Sequence, residues 1–238
     1  MQNRNSKFDG STSASLVQNG MLAEAFSVKP ILFSTPMVEA IAAGRKTQTR
    51  RLVKLPKDFT GEVYNNAPYG LKYSSNLYGD TVKRLAYALP DDILWVREKW
   101  RKNDMPTGFP FHHYADDTIY TDRDNEKWKP SLFMPKEACR LFLKVKSVGV
   151  ERLQNISHED AVAEGIEYID IEEPFTMGYK LYGKHKIPDL LGRKAVTGTS
   201  IESYQTLWES INGRESWDSN PYVWVISFEL TERPQGFC

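Results

Sequence analysis

The apolar residues of this chain fall into short runs, and that pattern limits the fold more than any other feature of the sequence. Ile31-Leu32-Phe33-Ser34, Ile93-Leu94-Trp95-Val96-Arg97, Leu141–Lys146 continuing to Val150, and Tyr222–Leu230 are each long enough for a strand and rich in β-branched or aromatic residues. With a strand across Thr47–Val53 and a weaker one at Thr118–Thr121, the chain offers about six strands. The helical signals between them are short and irregularly placed. A doubly wound sheet needs a long helix after nearly every strand. The pattern therefore predicts an α+β domain: a small, mostly antiparallel β-barrel with short helices packed on it.

The helix signals are specific at their ends. Thr35 is a good N-cap, with Pro36 at the first helical position and an apolar face of Met37, Val38, Ala40 and Ile41. Gly44 ends that helix in the left-handed conformation. Ser157 caps a second helix, with Asp160 at its third position and Ile156 placed to staple onto Ala161. Gly165 stops it directly after Glu164. Thr199-Ser200-Ile201-Glu202 is a capping box, followed by an apolar face of Ile201, Tyr204, Leu207, Trp208 and Ile211 and a stop at Asn212-Gly213.

Residues 1–28 are rich in Ser, Asn, Gln and Gly and read as a flexible leader, so the domain is expected over 29–238. Within it, 54–90 and 167–197 lack clear periodicity and read as loop insertions, the first with a helix at Thr81–Ala88. A chain of 238 residues that is 40% hydrophobic buries a core without staples. Cys139 and Cys238 cannot build a disulfide scaffold or a Cys-only zinc site. No apolar run reaches the ~20 residues of a membrane span, and the leader has no signal-peptide core. A cytoplasmic location and no membrane partner are expected.

Lys+Arg and Asp+Glu are both 31, so nucleic acid cannot be held by bulk charge and any such binding needs a local patch. One exists. Arg45, Lys46, Arg50, Arg51, Lys54 and Lys57 follow one another with no acid between Ala40 and Lys57. Two readings stay open. The run is a surface for an anionic ligand, or it is a strand edge that keeps cations to block pairing.

The residues around this run resemble a known family. Pro30 to Arg51, P-I-L-F-S-T-P-M-V-E-A-I-A-A-G-R-K-T-Q-T-R-R, is similar to the opening of an ASCH-domain protein, whose signature G-x-K-x-x-[E/T]-x-R is met by Gly44, Lys46, Thr49 and Arg51. Similarity continues in Ile93–Glu98, Lys127–Pro135, Val150–Leu153, Ala161–Ile166, Leu207-Trp208 and Asn220–Trp224, in the manner of the longer, often prophage-encoded branch. It runs from residue 29 to residue 230. The resemblance implies a PUA-like barrel and a partner that is RNA or a modified nucleoside, with no cofactor and no metal. A compact bacterial branch with this signature hydrolyses the amide of N4-acetylcytidine. Its catalytic Lys, Thr and Glu correspond here to Lys46, Thr49 and Glu164. Other members are proposed RNA-binding modules without a reaction, and a phage accessory protein that binds a protein partner through its insertions is a third possibility.

The trio makes chemical sense on its own. A threonine hydroxyl attacks only when a base takes its proton. A lysine serves as that base if its pKa is lowered, as Arg45, Arg50 and Arg51 would lower it. Glu164 can then protonate the leaving amine or position the base. It sits in the last helical turn, where the helix dipole disfavours an acid. Residues 46 and 49 would face opposite sides of a straight strand, so Lys46 must lie in the turn after Gly44. The family blocks add Trp95, Arg97, Glu98, Trp128, Lys129 and Ser131 as pocket-wall candidates, since aromatics stack on bases and charged pairs read their edges. For Trp95, core packing is an equal reading. His112-His113 has no third ligand at metal-site spacing and reads as structural.

Overall fold

The computed structural model describes residues 26–54, 63–64, 72–73, 87–103, 110–116, 128–171, 176–182 and 196–237. Strand β1 (Val28–Leu32) leads into helix α1 (Thr35–Ala42) and strand β2 (Gln48–Leu52). Two short antiparallel pairs come next in the chain, β3 (Val63–Tyr64) with β4 (Lys72–Tyr73), and, beyond β5 (Ile93–Arg97), β6 (Trp100–Lys102) with β7 (Phe111–His113). The long β8 (Phe142–Arg152) precedes α2 (His158–Ala163). Strands β9 (Tyr168–Ile171), β10 (Thr176–Lys180) and β11 (Val196–Thr197) follow, then α3 (Ser200–Asn212), α4 (Glu215–Asp218) and the closing β12 (Tyr222–Thr231).

The fold is α+β, but the expected barrel does not form. The main sheet is open, five-stranded and ordered β1-β5-β8-β12-β2, with β1 parallel to β5 and the other neighbours antiparallel. A barrel would need β1 to pair with β2. Ile93 donates to Ser27 O and Phe33 to Arg97 O, so alternate residues of β1 face β5, and Pro30 and Leu32 turn their backbone outward. Pro30, without an N–H, suits an unpaired edge. On β2, Phe228 donates to Thr47 O and Val53 to Tyr222 O, which turns the Gln48 backbone outward in the same way. Side-chain cations take both outward carbonyls: Arg51 Nη2 donates to Leu32 O at 2.7 Å and Lys46 Nζ to Gln48 O at 2.8 Å. Cations thus occupy the place where a ladder would have closed the sheet.

One core lies on the sheet face covered by α1, α3 and α4, with Met37, Val38 and Ile41 meeting Leu94, Val96, Leu143, Ile226, Leu207 and Trp217. A second lies on the opposite face, where Ile93, Trp95 and Phe142 meet Trp100, Met134, Ala138 and Cys139. Burial on both faces explains why β5 reads as a continuous apolar run.

The helix ends agree with the capping chemistry. Ser157 Oγ accepts from Asp160 N–H and Thr199 Oγ1 from Glu202 N–H. Ser34 rather than Thr35 precedes α1, a one-residue shift of the expected start. The chain is tied from Ser27, whose N–H and Oγ both donate to Asp92 Oδ1. The described part of 167–197 is not loop but an antiparallel sheet in the order β11-β10-β9. Its strands are short and its pattern weak, which hid it. Most of 54–90, including nearly all of the helix expected at Thr81–Ala88, lies outside the described residues, as do Thr118–Thr121 and residues 1–25. No helix among the described residues is long and apolar enough to cross a membrane.

Candidate functional site

The turn after α1 places Lys46. Gly44 takes φ +72° and the N–H groups of Arg45 and Lys46 both donate to Ala40 O. Thr47 then donates to Ala163 O at 2.9 Å, which ties this turn to the end of α2, and regular strand starts only at Gln48. At that junction Gly165 has φ +89°, and a Cβ there would lie 2.9 Å from both Ala40 Cβ and Lys46 Cβ. A glycine is required for its backbone angle and for the close approach. Its bare backbone lets the lysine stem lie flat and deliver its ammonium to Glu164.

Lys46 Nζ donates to Glu164 Oε2 at 2.7 Å and to Glu164 O and Gln48 O at 2.8 Å. An ammonium has three N–H donors, and these three acceptors use them all. Both side chains are buried, 2% exposed for Lys46 and 4% for Glu164. Burial in the first place, helped by Arg51 and Arg50, holds Lys46 below the ordinary lysine range against the upward pull of Glu164.

Arg50 completes the cluster from the other side of Glu164. Its guanidinium is fully buried and donates to Glu151 Oε1 (2.7 and 3.0 Å), Asp160 Oδ2 (2.9 Å), Glu164 Oε1 (3.3 Å) and Gln48 Oε1 (2.6 Å). Its charge is directed inward, to carboxylates. Tyr204 packs 6.0 Å from it, and burial together with Glu164 pushes the Tyr204 hydroxyl well above the usual tyrosine range. Sequence reasoning missed Glu151, Asp160 and Tyr204. Asp160 and Glu164, four apart on one helix face, carried a signal for a shared cation.

Thr49 lies opposite Ile226 on β2 and is buried. Strand alternation turns it and Arg51 to the face opposite Arg50. Its hydroxyl makes no hydrogen bond to another described residue. The Phe33 ring lies 5.6 Å from Lys46 Nζ and 5.2 Å from the Arg51 guanidinium, and so stands between the two cations at the sheet edge.

The remaining candidates separate. Gly44 and Arg45 are exposed in the turn. Arg97 stacks over Trp95 at 5.3 Å and donates through Nη2 to Leu132 O, in the 3-10 turn begun by Ser131. Trp95 itself packs in the second core against Phe237. Glu98 is buried and bound by Arg140 at 2.8 and 3.0 Å, away from any ligand-facing surface. Trp128 and Lys129 belong to another group, with Trp128 edge-on to Tyr114 and Lys129 Nζ 4.9 Å from the Trp100 ring. His113 Nε2 donates to Ala138 O. Among the described residues no group of His, Cys, Asp and Glu is arranged to hold a metal ion.

The chain matches no protein-family model, no curated protein and no solved structure. The functional reading rests on the site and on the sequence resemblance alone.

Proposed function

We propose that this protein is an ASCH-type amidohydrolase that cleaves the acetyl amide of N4-acetylcytidine, free or in RNA, with Lys46, Thr49 and Glu164 as its chemical groups. The observation that carries the reading is the buried 2.7 Å contact between Lys46 and Glu164, residues 118 apart in sequence, beside a buried threonine whose hydroxyl is uncommitted. Burial favours the neutral amine that a base requires.

In this reading the Lys46 amine removes the Thr49 proton as Oγ1 attacks the acetyl carbon. The C–N bond then breaks, the cytosine amine departs with a proton from the Lys46–Glu164 pair, and water hydrolyses the resulting ester to acetate. To act as base, Lys46 must release one of its three contacts, because the amine has two protons and a lone pair. Glu164 Oε2 is the partner that can follow the proton.

A second reading, a non-catalytic module that binds RNA or a modified nucleoside, is favoured by the saturation of Lys46 by three acceptors. Purified full-length protein incubated with N4-acetylcytidine separates the two. Hydrolysis is expected to release cytidine and acetate without added metal, to survive in Thr49→Ser and to vanish in Thr49→Ala. Nucleoside binding with no turnover by the parent protein would establish the module reading instead.

A further inference from the structure

Buried hydrogen-bond donors nearly always have acceptors. Arg51 and Arg97 are exceptions: the Nε atom of each is buried and has no hydrogen-bond partner. The two stand close together. Arg51 Nη2 donates to Leu32 O, and Leu32 is the register partner of Arg97 across β1 and β5. Each guanidinium is held by one backbone carbonyl, Leu32 O or Leu132 O, and by one aromatic face, Phe33 at 5.2 Å or Trp95 at 5.3 Å. No carboxylate of the described residues makes a hydrogen bond or ion pair with either.

We propose that Arg51 and Arg97 together form a receptor for the phosphate group of a nucleotide. Two guanidiniums fixed by carbonyls and rings present charge and directed N–H donors without further ordering, which suits a tetrahedral dianion better than a water-filled surface does. Tyr87 stands in the field of both cations: burial raises its pKa, and Arg51 and Arg97 oppose that rise. Its phenol adds a donor at the same place. Leu32, Tyr87, Leu132 and Phe133 are exposed around the pair and offer apolar and aromatic surface to a sugar or base. The nucleotide part of this inference rests on the proposed nucleoside chemistry; the anion site does not.

The test uses inorganic phosphate and the full-length protein, with binding read by calorimetry at constant ionic strength. Saturable binding is expected, weakened about tenfold or more in Arg97→Gln and in Arg51→Gln, since a bidentate charged contact is lost. Arg97→Gln keeps the test decisive if Arg51→Gln fails to fold, because Arg97 lies on the rim of the sheet. Arg97→Lys should restore only part of the affinity, by keeping charge without the fork. Cytidine 5′-monophosphate and the dinucleotide CpC are then used as competitors: displacement by the first points to a terminal phosphate, by the second to an RNA backbone. Unchanged phosphate binding in Arg97→Gln, no saturable binding by the folded parent, or no displacement by either competitor would overturn the proposal. Phosphate binding is measured without any nucleoside, so a failure of the hydrolysis reading appears only in the acetylcytidine assay.

Discussion

Arg50 offers the sharpest separation between a phosphate-facing arginine and a structural one. In Arg50→Ala, Glu151, Asp160 and Glu164 lose the cation that joins them, and Lys46 alone remains to neutralise Glu164. Breaking a buried ion pair by removing one partner costs about 3–5 kcal/mol. Glu151 and Asp160 are 23% and 34% exposed, so water screens part of the repulsion left behind. The lower end, about 3 kcal/mol, is therefore expected. At about 2–4 °C per kcal/mol for a domain of this size, the melting temperature should fall by roughly 6–12 °C. Urea denaturation followed by tryptophan fluorescence measures the free energy, and Arg45→Ala, in the exposed turn, should stay within about 0.5 kcal/mol of the parent. A charge-reversing Arg50→Glu should not fold, so loss of ligand binding in it would say nothing about contact with ligand. An Arg50→Ala protein within about 1 kcal/mol of the parent would match a solvated surface cation and refute the reasoning.

Gly165→Ala should destabilise by about 1–3 kcal/mol, because φ is +89° and the new methyl meets Ala40 and Lys46; loss of acetylcytidine hydrolysis beyond the loss of folded protein would show that Lys46 has moved. Lys46, whose folded pKa is lowered, binds fewer protons folded than unfolded between its folded pKa and the ordinary lysine value, so its contribution to stability should rise with pH through that window. The stability difference between the parent and Lys46→Met, from urea titrations at several pH values, should shift in the parent's favour as the solution becomes alkaline; a pH-independent difference would count against the lowered pKa. Burial pushes the Cys139 thiol up to about 11, so alkylation by iodoacetamide should be slow in native protein and fast in urea. Equal rates would show that the second core opens readily.

The sequence alone determined the local structure around the site. Capping by Ser157 and Thr199, the stops at Gly44, Gly165 and Gly213, and the strand at Ile93–Arg97 follow from chemistry within a few residues of each position. The placement of Lys46 in a turn also followed, because period-two alternation forbids it from the strand face of Thr49. The basic run was legible as charge, but both of its readings proved to concern different residues: Arg50 turns inward to carboxylates, while Lys46 and Arg51 cap the carbonyls of two sheet edges. Only the tertiary structure decided that. Whether a sheet closes depends on pairing between strands far apart in the chain, and one-dimensional pattern carries no term for it. Likewise, whether a cation meets solvent or a carboxylate is set by what packs above it: here α2, docked on β2 through Thr47 and the bare backbone of Gly165, brings Asp160 and Glu164 over residues more than a hundred positions earlier.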